Sequence, residues 1–164
     1  MAERLTIQAG PHNKKALYAE LEQAIRQIIL QEKDETAIMS VAASVLCEGL
    51  GFHWIGFYRV VGERLLVGPY QGPIACMEIP FGKGVCGKAW ESNATLVVPD
   101  VGAFPGHIAC SSLSRSEIVI PLRDKAGIVR AVLDIDSEKP DDFSLEDQAG
   151  LEKIANLLSA SIYG

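Results

Sequence analysis

Residues 117–137 read EIVIPLRDKAGIVRAVLDIDS, two apolar runs that are joined by a short polar turn. The turn, 123–127, is of hairpin length, which predicts antiparallel strands at 117–122 and 128–137. Links of similar length join other strand-like runs in the chain. We therefore expect a mostly antiparallel sheet.

Helical periodicity lies on both sides of these strands. Two amphipathic helices are predicted at about 14–30 and 34–49, and a capping box at Ser144 and Asp147 opens a last helix that reaches about 161. Between them, the pattern predicts strands at 53–61, 65–70, 74–80 and 95–98 and a short helix at 85–92. The prediction is an α+β fold in which the N- and C-terminal helices pack on one face of the sheet and the other face keeps a pocket.

Length, composition and net charge narrow the class of protein. The chain has 164 residues, of which 48% are hydrophobic, and we expect one domain over 1–164 with 1–12 as a flexible tail. A net charge of -6 disfavours nucleic acid or an anionic membrane as partner. Neither a signal-peptide pattern nor an apolar run of about 20 residues is present, so a cytoplasmic protein with a small ligand is expected.

Four cysteines are present, and the cytoplasm keeps thiols reduced, which favours reactive or metal-binding roles over structural disulfides. Cys47, on the second helix, is interpreted as a core residue. Cys86 lies near the start of the short helix, where helix amides favour a thiolate. Cys76, Cys86, Cys110 and His107 could bind zinc, but paired C-x-x-C motifs are missing. A Cys/His hydrolase with His107 as base is a further alternative.

Carboxylates and aromatic residues complete the candidate site. Asp134 and Asp136 share one face of the last strand roughly 7 Å apart. One of them, or Glu117, is expected to stay protonated and to donate a proton near pH 7, because neighbouring carboxylates raise each other's pKa. Trp54 and Tyr58 share a face of the 53–61 strand on either side of a glycine, which indicates a wall with a recess or ordinary packing under a helix. Carboxylates beside several thiols favour redox chemistry.

Local motifs carry a family resemblance. The chain has Gly84-Val85-Cys86-Gly87, a step of ten residues from Cys76 to Cys86, a step of 24 residues to Cys110, and GHIAC at 106–110 followed by SEIV at 116–119. This pattern resembles the free methionine-(R)-sulfoxide reductases, which are standalone GAF domains. The match runs from about Trp54 to Asp136.

The resemblance implies a thiol mechanism for the reduction of free methionine-(R)-sulfoxide. Cys110 matches the catalytic cysteine, Cys76 the principal resolving cysteine, and Cys86 a third cysteine that can exchange disulfides. The first attack leaves a sulfenic acid on Cys110, which a second thiol converts to a disulfide. The family acts as a homodimer that thioredoxin recharges, and the chemistry requires neither a cofactor nor a metal.

The resemblance also assigns the pocket. Glu117, Asp134 and Asp136 match carboxylates that engage the sulfoxide oxygen and the ammonium of the amino acid, and Trp54 and Tyr58 match an aromatic wall near its methyl end. Gly102 and Ser111 depart from the family pattern, which has His and Asp there. The alternative function is a non-catalytic GAF module that senses or binds a small molecule.

Overall fold

The computed structural model describes residues 2–108, 110 and 112–164, and in these residues one six-stranded sheet is accompanied by four α-helices. The helices are α1 (Lys14–Ile28), α2 (Glu35–Leu50), α3 (Gly84–Ser92) and α4 (Leu145–Tyr163). The strands are β1 (Trp54–Val61), β2 (Arg64–Gln71), β3 (Glu78–Pro80), β4 (Leu96–Val98), β5 (Ser116–Arg123) and β6 (Val129–Ser137). A 3-10 turn, Val101–Ala103, follows β4. The order of helices and strands is the predicted one.

The strand predicted at 74–80 is much shorter than expected. Of the predicted residues, only Glu78–Pro80 form a strand, β3, which pairs with β2, and residues 72–77 form a loop that carries Cys76. The chain leaves the sheet at Gly72, which has a φ of +142° and lies so close to Trp54 that a Cβ would be 2.6 Å from the indole Cδ1. A residue with a side chain would be strained in this conformation. Glycine therefore allows the loop to pass close to the indole ring of Trp54.

The sheet has the order β3-β2-β1-β6-β5-β4, and all neighbouring strands are antiparallel, as predicted. Its register places Trp54 opposite Asp136 and places Asp136 opposite Glu117. These three residues form a row across β1, β6 and β5. Because side chains alternate between faces, the row projects from the same face of the sheet as Asp134 and Tyr58.

Helices α1, α2 and α4 cover the other face, which confirms the predicted layer arrangement. The sheet contributes the alternating apolar residues of its three central strands to this core: Ile55, Phe57, Ile118, Ile120, Leu122, Ala131, Leu133 and Ile135. Nearly all of them are fully buried. One hydrophobic layer therefore fixes the central strands and, through the alternation, the direction of the polar side chains on their opposite face.

Asp147 ties α4 to α1. The predicted capping box is present, since the Ser144 side chain accepts from the Asp147 amide and the Asp147 carboxylate accepts from the Ser144 amide. The same carboxylate accepts a 2.7 Å hydrogen bond from the Tyr18 hydroxyl and forms a 2.6 Å ion pair with Lys14. The side chain is nearly inaccessible, so these donors compensate for its burial.

Residues 2–12 contain no helix or strand, but they contact the helical layer. Leu5 and Ile7 pack against the core, the Leu5 amide donates to Glu48 at 3.1 Å, and the Gln8 amide donates to Glu20 at 2.8 Å. Among the described residues, no helix is both long enough and apolar enough to cross a membrane.

Candidate active site

Cys76 and Cys110 form a disulfide. Their Cα atoms are 5.4 Å apart, although 34 residues separate them in the chain. Cys76 lies in the loop between β2 and β3, and Cys110 precedes β5. Two of the cysteines expected to carry chemistry are thus bonded to each other, and Cys47 and Cys86 are free.

Cys86 is in a different environment from the disulfide. It lies in the first turn of α3, is 3% exposed, and has its Sγ 4.0 Å from Oε2 of Glu117. The expectation that helix amides favour a thiolate at Cys86 is wrong, because burial and then the charges of Asp134, Glu117 and Asp136 raise its pKa well above the usual value. The group is a neutral thiol packed against acids.

Three carboxyl groups meet beside Cys86. Glu117 and Asp134 are each only 5% exposed, and Asp136 is partly buried on the same sheet face. Oδ1 of Asp134 is buried without a hydrogen-bond partner among the described residues. An unpaired buried carboxylate oxygen is costly, so this atom is a site where a cationic or proton-donating ligand would be stabilised.

Burial sets the protonation of these acids. It raises the pKa of Glu117 well above its ordinary range, and the charges of Asp134 and Asp136 raise it further. Burial likewise raises the pKa of Asp136, with a further contribution from Asp134. The pKa of Asp134 is also raised by burial, although the neighbouring Glu117 and Cys86 side chains act in the opposite direction. The cluster therefore holds protons at a higher pH than isolated carboxylic acids do.

Trp54 and Tyr58 form a stacked pair on this face, with ring centroids 5.9 Å apart. The predicted recess between them is filled, because a Cβ on Gly56 would overlap Tyr70 and would lie 2.7 Å from the Trp54 ring. Tyr70 stacks on Trp54 with a centroid distance of 5.0 Å. The aromatic wall is therefore a continuous surface.

A cavity of about 40 Å³ lies between the aromatic wall, the acids and the disulfide. It has room for a few water molecules and is small for an amino acid. All but one of the predicted site residues line it: Trp54, Tyr58, Cys86, Cys110, Glu117, Asp134 and Asp136. Cys76 is held beside it through its bond to Cys110.

The cavity also has lining residues that sequence patterns did not single out. They come from the loops and from β3: Pro73, Ile74, Ala75, Ile79 and Ser114. Gly84, Val85 and Ile108, which belong to the quoted motifs without an assigned role, also line it. Gly84 has a φ of +60° and lies against Ile108, where a Cβ would be 3.2 Å from the Ile108 side chain. Gly84, the first residue of α3, was the available signal for this part of the lining, since a glycine marks a close approach of backbone.

His107 also lines the cavity, and burial lowers its pKa. Its amide donates to the Phe104 carbonyl at 3.2 Å, which makes it part of the loop before Cys110. Gly102, one of the two departures from the family pattern, donates its amide to Asp100 Oδ1 at 3.0 Å in the 3-10 turn. Ser111, the other departure, lies outside the described residues.

The alternative of a zinc site does not fit the bonding of the cysteines. Cys76 and Cys110 are bonded to each other, so they offer no thiolates beside Cys86 and His107. Within the described part of the chain, the group with metal-ligand spacing is Cys86, Glu117 and Asp134, whose ligand atoms all lie within 4.8 Å of one another. These residues could hold a cation.

Comparison with known proteins gives a consistent family. The GAF domain family model matches residues 32–162. The free methionine-R-sulfoxide reductase of Escherichia coli is 41% identical over 143 residues, which cover 87% of this chain and 86% of that protein. GAF domain-containing protein A of Dictyostelium discoideum is 46% identical over 96% of this chain and 99% of its own length.

Solved structures agree with these relatives. The X-ray structure of free methionine-R-sulfoxide reductase from Neisseria meningitidis, in complex with its substrate, superposes with a TM-score of 0.92 at 44% identity. The alignment covers 98% of this chain and 95% of that one. With the matched domain, the sequence identity and the shared fold, this chain belongs to the GAF domain family and, within it, to the free methionine-R-sulfoxide reductases.

Proposed function

We propose that this protein reduces free methionine-(R)-sulfoxide to methionine by thiol chemistry at Cys110. The observation that carries the proposal is the Cys76–Cys110 disulfide beside a cavity lined by three carboxyl groups with raised pKa. A pair of cysteines can store the two electrons of the reaction, and a protonated acid can activate the sulfoxide. We infer the identity of the substrate from the relatives named above as free methionine-R-sulfoxide reductases.

In the first step, the sulfur of Cys110 attacks the sulfoxide while the sulfoxide oxygen accepts a proton. Glu117 is our choice of proton donor, because burial and the charges of Asp134 and Asp136 raise its pKa well above its ordinary range. The sulfoxide sulfur is reduced and leaves as the thioether of methionine. The oxygen remains on Cys110 as a sulfenic acid, so Cys110 is oxidised by two electrons.

Asp134 and Asp136 are proposed to bind the ammonium group of the substrate. The unpaired Oδ1 of Asp134 gives a positive group a partner that is already desolvated. A bound ammonium also offsets the negative charge that would otherwise disfavour a thiolate at Cys110. We place Trp54 and Tyr58 at the methyl end of the substrate, where aromatic surface suits an apolar group.

Cys76 is proposed as the resolving cysteine and Cys86 as a reserve thiol. Cys76 is half-buried and lies between Ile74 and Met77, which are 88% and 69% exposed, so its side of the disulfide is accessible from solvent. This accessibility supports recycling by an external dithiol, and we propose that this dithiol is thioredoxin. We also propose that the enzyme acts in the cytoplasm as a homodimer and needs no cofactor. Residues 1–164 are proposed to act as a single GAF domain.

The test is a thioredoxin-coupled assay with the separated R and S epimers of free methionine sulfoxide and a peptide-bound form as control. We expect NADPH consumption with the free R epimer alone, and we expect Cys110→Ser to abolish it. Turnover that survives Cys110→Ser would disprove the proposal. Binding without turnover would favour the sensor alternative.

A further inference from the structure

Trp54 and Tyr58 line the cavity, and each also donates a hydrogen bond to the loop that carries Cys76. The indole Nε1 of Trp54 donates to the Pro73 carbonyl at 3.1 Å, and the Tyr58 hydroxyl donates to the carbonyl of Cys76 itself at 3.0 Å. We propose that Tyr58, assisted by Trp54, is a positioning residue that holds Cys76 against Cys110 for disulfide formation. The inference rests on the proposed function and adds a role that the aromatic wall alone does not imply.

The two donors are buried in the sheet, whereas the loop that they bind has no regular secondary structure. Trp54 and Tyr58 are 5% and 2% exposed, they stack on each other, and they lie on β1, whose two edges are both paired in the sheet. Burial raises the pKa of Tyr58, and the nearby carboxylates raise it further, so its hydroxyl keeps the proton that it donates. A fixed donor thus meets a segment without regular secondary structure.

The hydrogen bond of Tyr58 is made to the reacting residue. On the next residue, the Met77 carbonyl accepts from the Val67 amide at 2.9 Å, which begins the pairing of the chain with β2. Cys76 therefore has its carbonyl bound from the sheet face at the point where the loop returns to the sheet. These two contacts fix the backbone from which the Cys76 side chain projects.

Such positioning matters in the second chemical step. The thiol sulfur of Cys76 forms a bond to the sulfenic sulfur of Cys110, the S–O bond breaks, and the hydroxyl leaves with the thiol proton as water. The sulfenic acid is thereby reduced to the disulfide level while Cys76 is oxidised. The rate depends on how often Cys76 is held near Cys110, since preorganisation replaces a search by the flexible loop.

The small cavity indicates that this contact is remade in each catalytic cycle. With the disulfide formed, about 40 Å³ is available, which is small for methionine sulfoxide. Reduction of the disulfide releases the loop that carries Cys76 from Cys110, so we infer that the loop moves outward to admit the substrate and returns to resolve the sulfenic acid. Tyr58 and Trp54 provide the surface to which it returns.

The test compares two rates in a single turnover of the reduced full-length enzyme. Tyr58→Phe keeps the ring and removes the hydroxyl, and rapid quenching followed by mass spectrometry measures methionine release, dimedone-trapped sulfenic acid and disulfide. We expect the ratio of disulfide formation to methionine release to fall about tenfold, with sulfenic acid accumulating. We also expect a roughly fivefold loss in the equilibrium for the disulfide, which raises its reduction potential by roughly 20 mV.

Tyr70→Phe is the matched control, since it removes a hydroxyl from the ring stacked on Trp54 and leaves the bond to Cys76 intact. Trp54→Phe should also lower the ratio of disulfide formation to methionine release, as Tyr58→Phe does. An unchanged ratio and potential in Tyr58→Phe, or a parallel slowing of both steps, would overturn the proposal. The potential is measured in dithiothreitol buffers without substrate, so it tests the hydrogen bond even if the proposed activity fails.

Discussion

The thiol of Cys86 lies 4.0 Å from Oε2 of Glu117, so the third cysteine of the site is packed against an acid while the other two are bonded to each other. Burial and the surrounding carboxylates raise its pKa, and a neutral thiol is a poor nucleophile. We therefore assign the first disulfide to Cys76 and leave Cys86 in reserve.

This assignment predicts different phenotypes for two cysteine variants. Cys76→Ser should release one equivalent of methionine and then stop, with turnover at least about a hundredfold lower, because Cys86, the thiol that remains at the site, is buried and neutral beside Glu117. Cys86→Ser should keep disulfide formation within about threefold of wild type. Non-reducing peptide mapping after one turnover measures both. A disulfide between Cys86 and Cys110 in the wild-type enzyme would contradict the assignment.

Glu117 as proton donor predicts a specific pH dependence. The acid must be protonated to act, and its pKa is raised, so methionine release should persist above the pH at which an ordinary glutamic acid ionises and should fall as pH rises through the raised pKa. Glu117→Gln should slow this step by about 10²–10³-fold and remove that limb of the profile. The measurement is single-turnover methionine release between about pH 5 and pH 9.

Comparison with an exposed acid that does not line the cavity controls for the loss of a negative charge. Glu78, on β3, is exposed and bonded to Arg64, so Glu78→Gln should leave the pH profile of methionine release unchanged. If Glu117→Gln keeps the same limb at high pH, another group is the proton donor.

Asp134 is expected to destabilise the folded protein at high pH. Its pKa in the folded protein is raised by burial, so its contribution is most favourable below the pKa of the unfolded chain and is lost as pH rises through the folded value. Asp134→Asn removes the ionisation and should therefore raise stability at pH 8 by about 1–2 kcal/mol, with little effect near pH 4. Thermal unfolding of the reduced protein at both pH values provides the measurement.

The same variant should bind substrate poorly, because the unpaired Oδ1 of Asp134 is the proposed partner of the ammonium group. Loss of a charge-assisted contact predicts at least a tenfold rise in KM. A destabilised variant at pH 8, or an unchanged KM, would show that the carboxylate is satisfied in the protein alone.

The fold could be predicted from the sequence because its signals are local. Alternation along β6 separates Leu133 and Ile135 from Asp134 and Asp136, and the structure places these two sets on opposite faces. The Ser144–Asp147 capping box is also a contact over three residues. Signals of this kind do not depend on the rest of the chain.

The errors concern contacts between distant segments. The recess at Gly56 is filled by Tyr70 from the neighbouring strand, and the thiolate expected at Cys86 is opposed by carboxylates from β5 and β6. The loop at 72–77 leaves the sheet because of Gly72 and Trp54. Each outcome depends on which strands become neighbours, and residue pattern alone does not give that arrangement.

Asp147 gives a prediction on stability that is independent of the active site. Burial would raise its pKa, but hydrogen bonds from Lys14, Tyr18 and Ser144 together lower it. A lowered pKa stabilises the fold above the pKa of the unfolded chain, and this contribution is lost as pH falls through the folded value. Asp147→Asn should therefore cost about 2–3 kcal/mol near pH 7 and less near pH 3, measured by urea unfolding. Glu146→Gln, an exposed change one residue earlier, should cost less than about 0.5 kcal/mol. Equal losses for the two variants would mean that helix-dipole effects, and not the contacts of Asp147 with α1, stabilise α4.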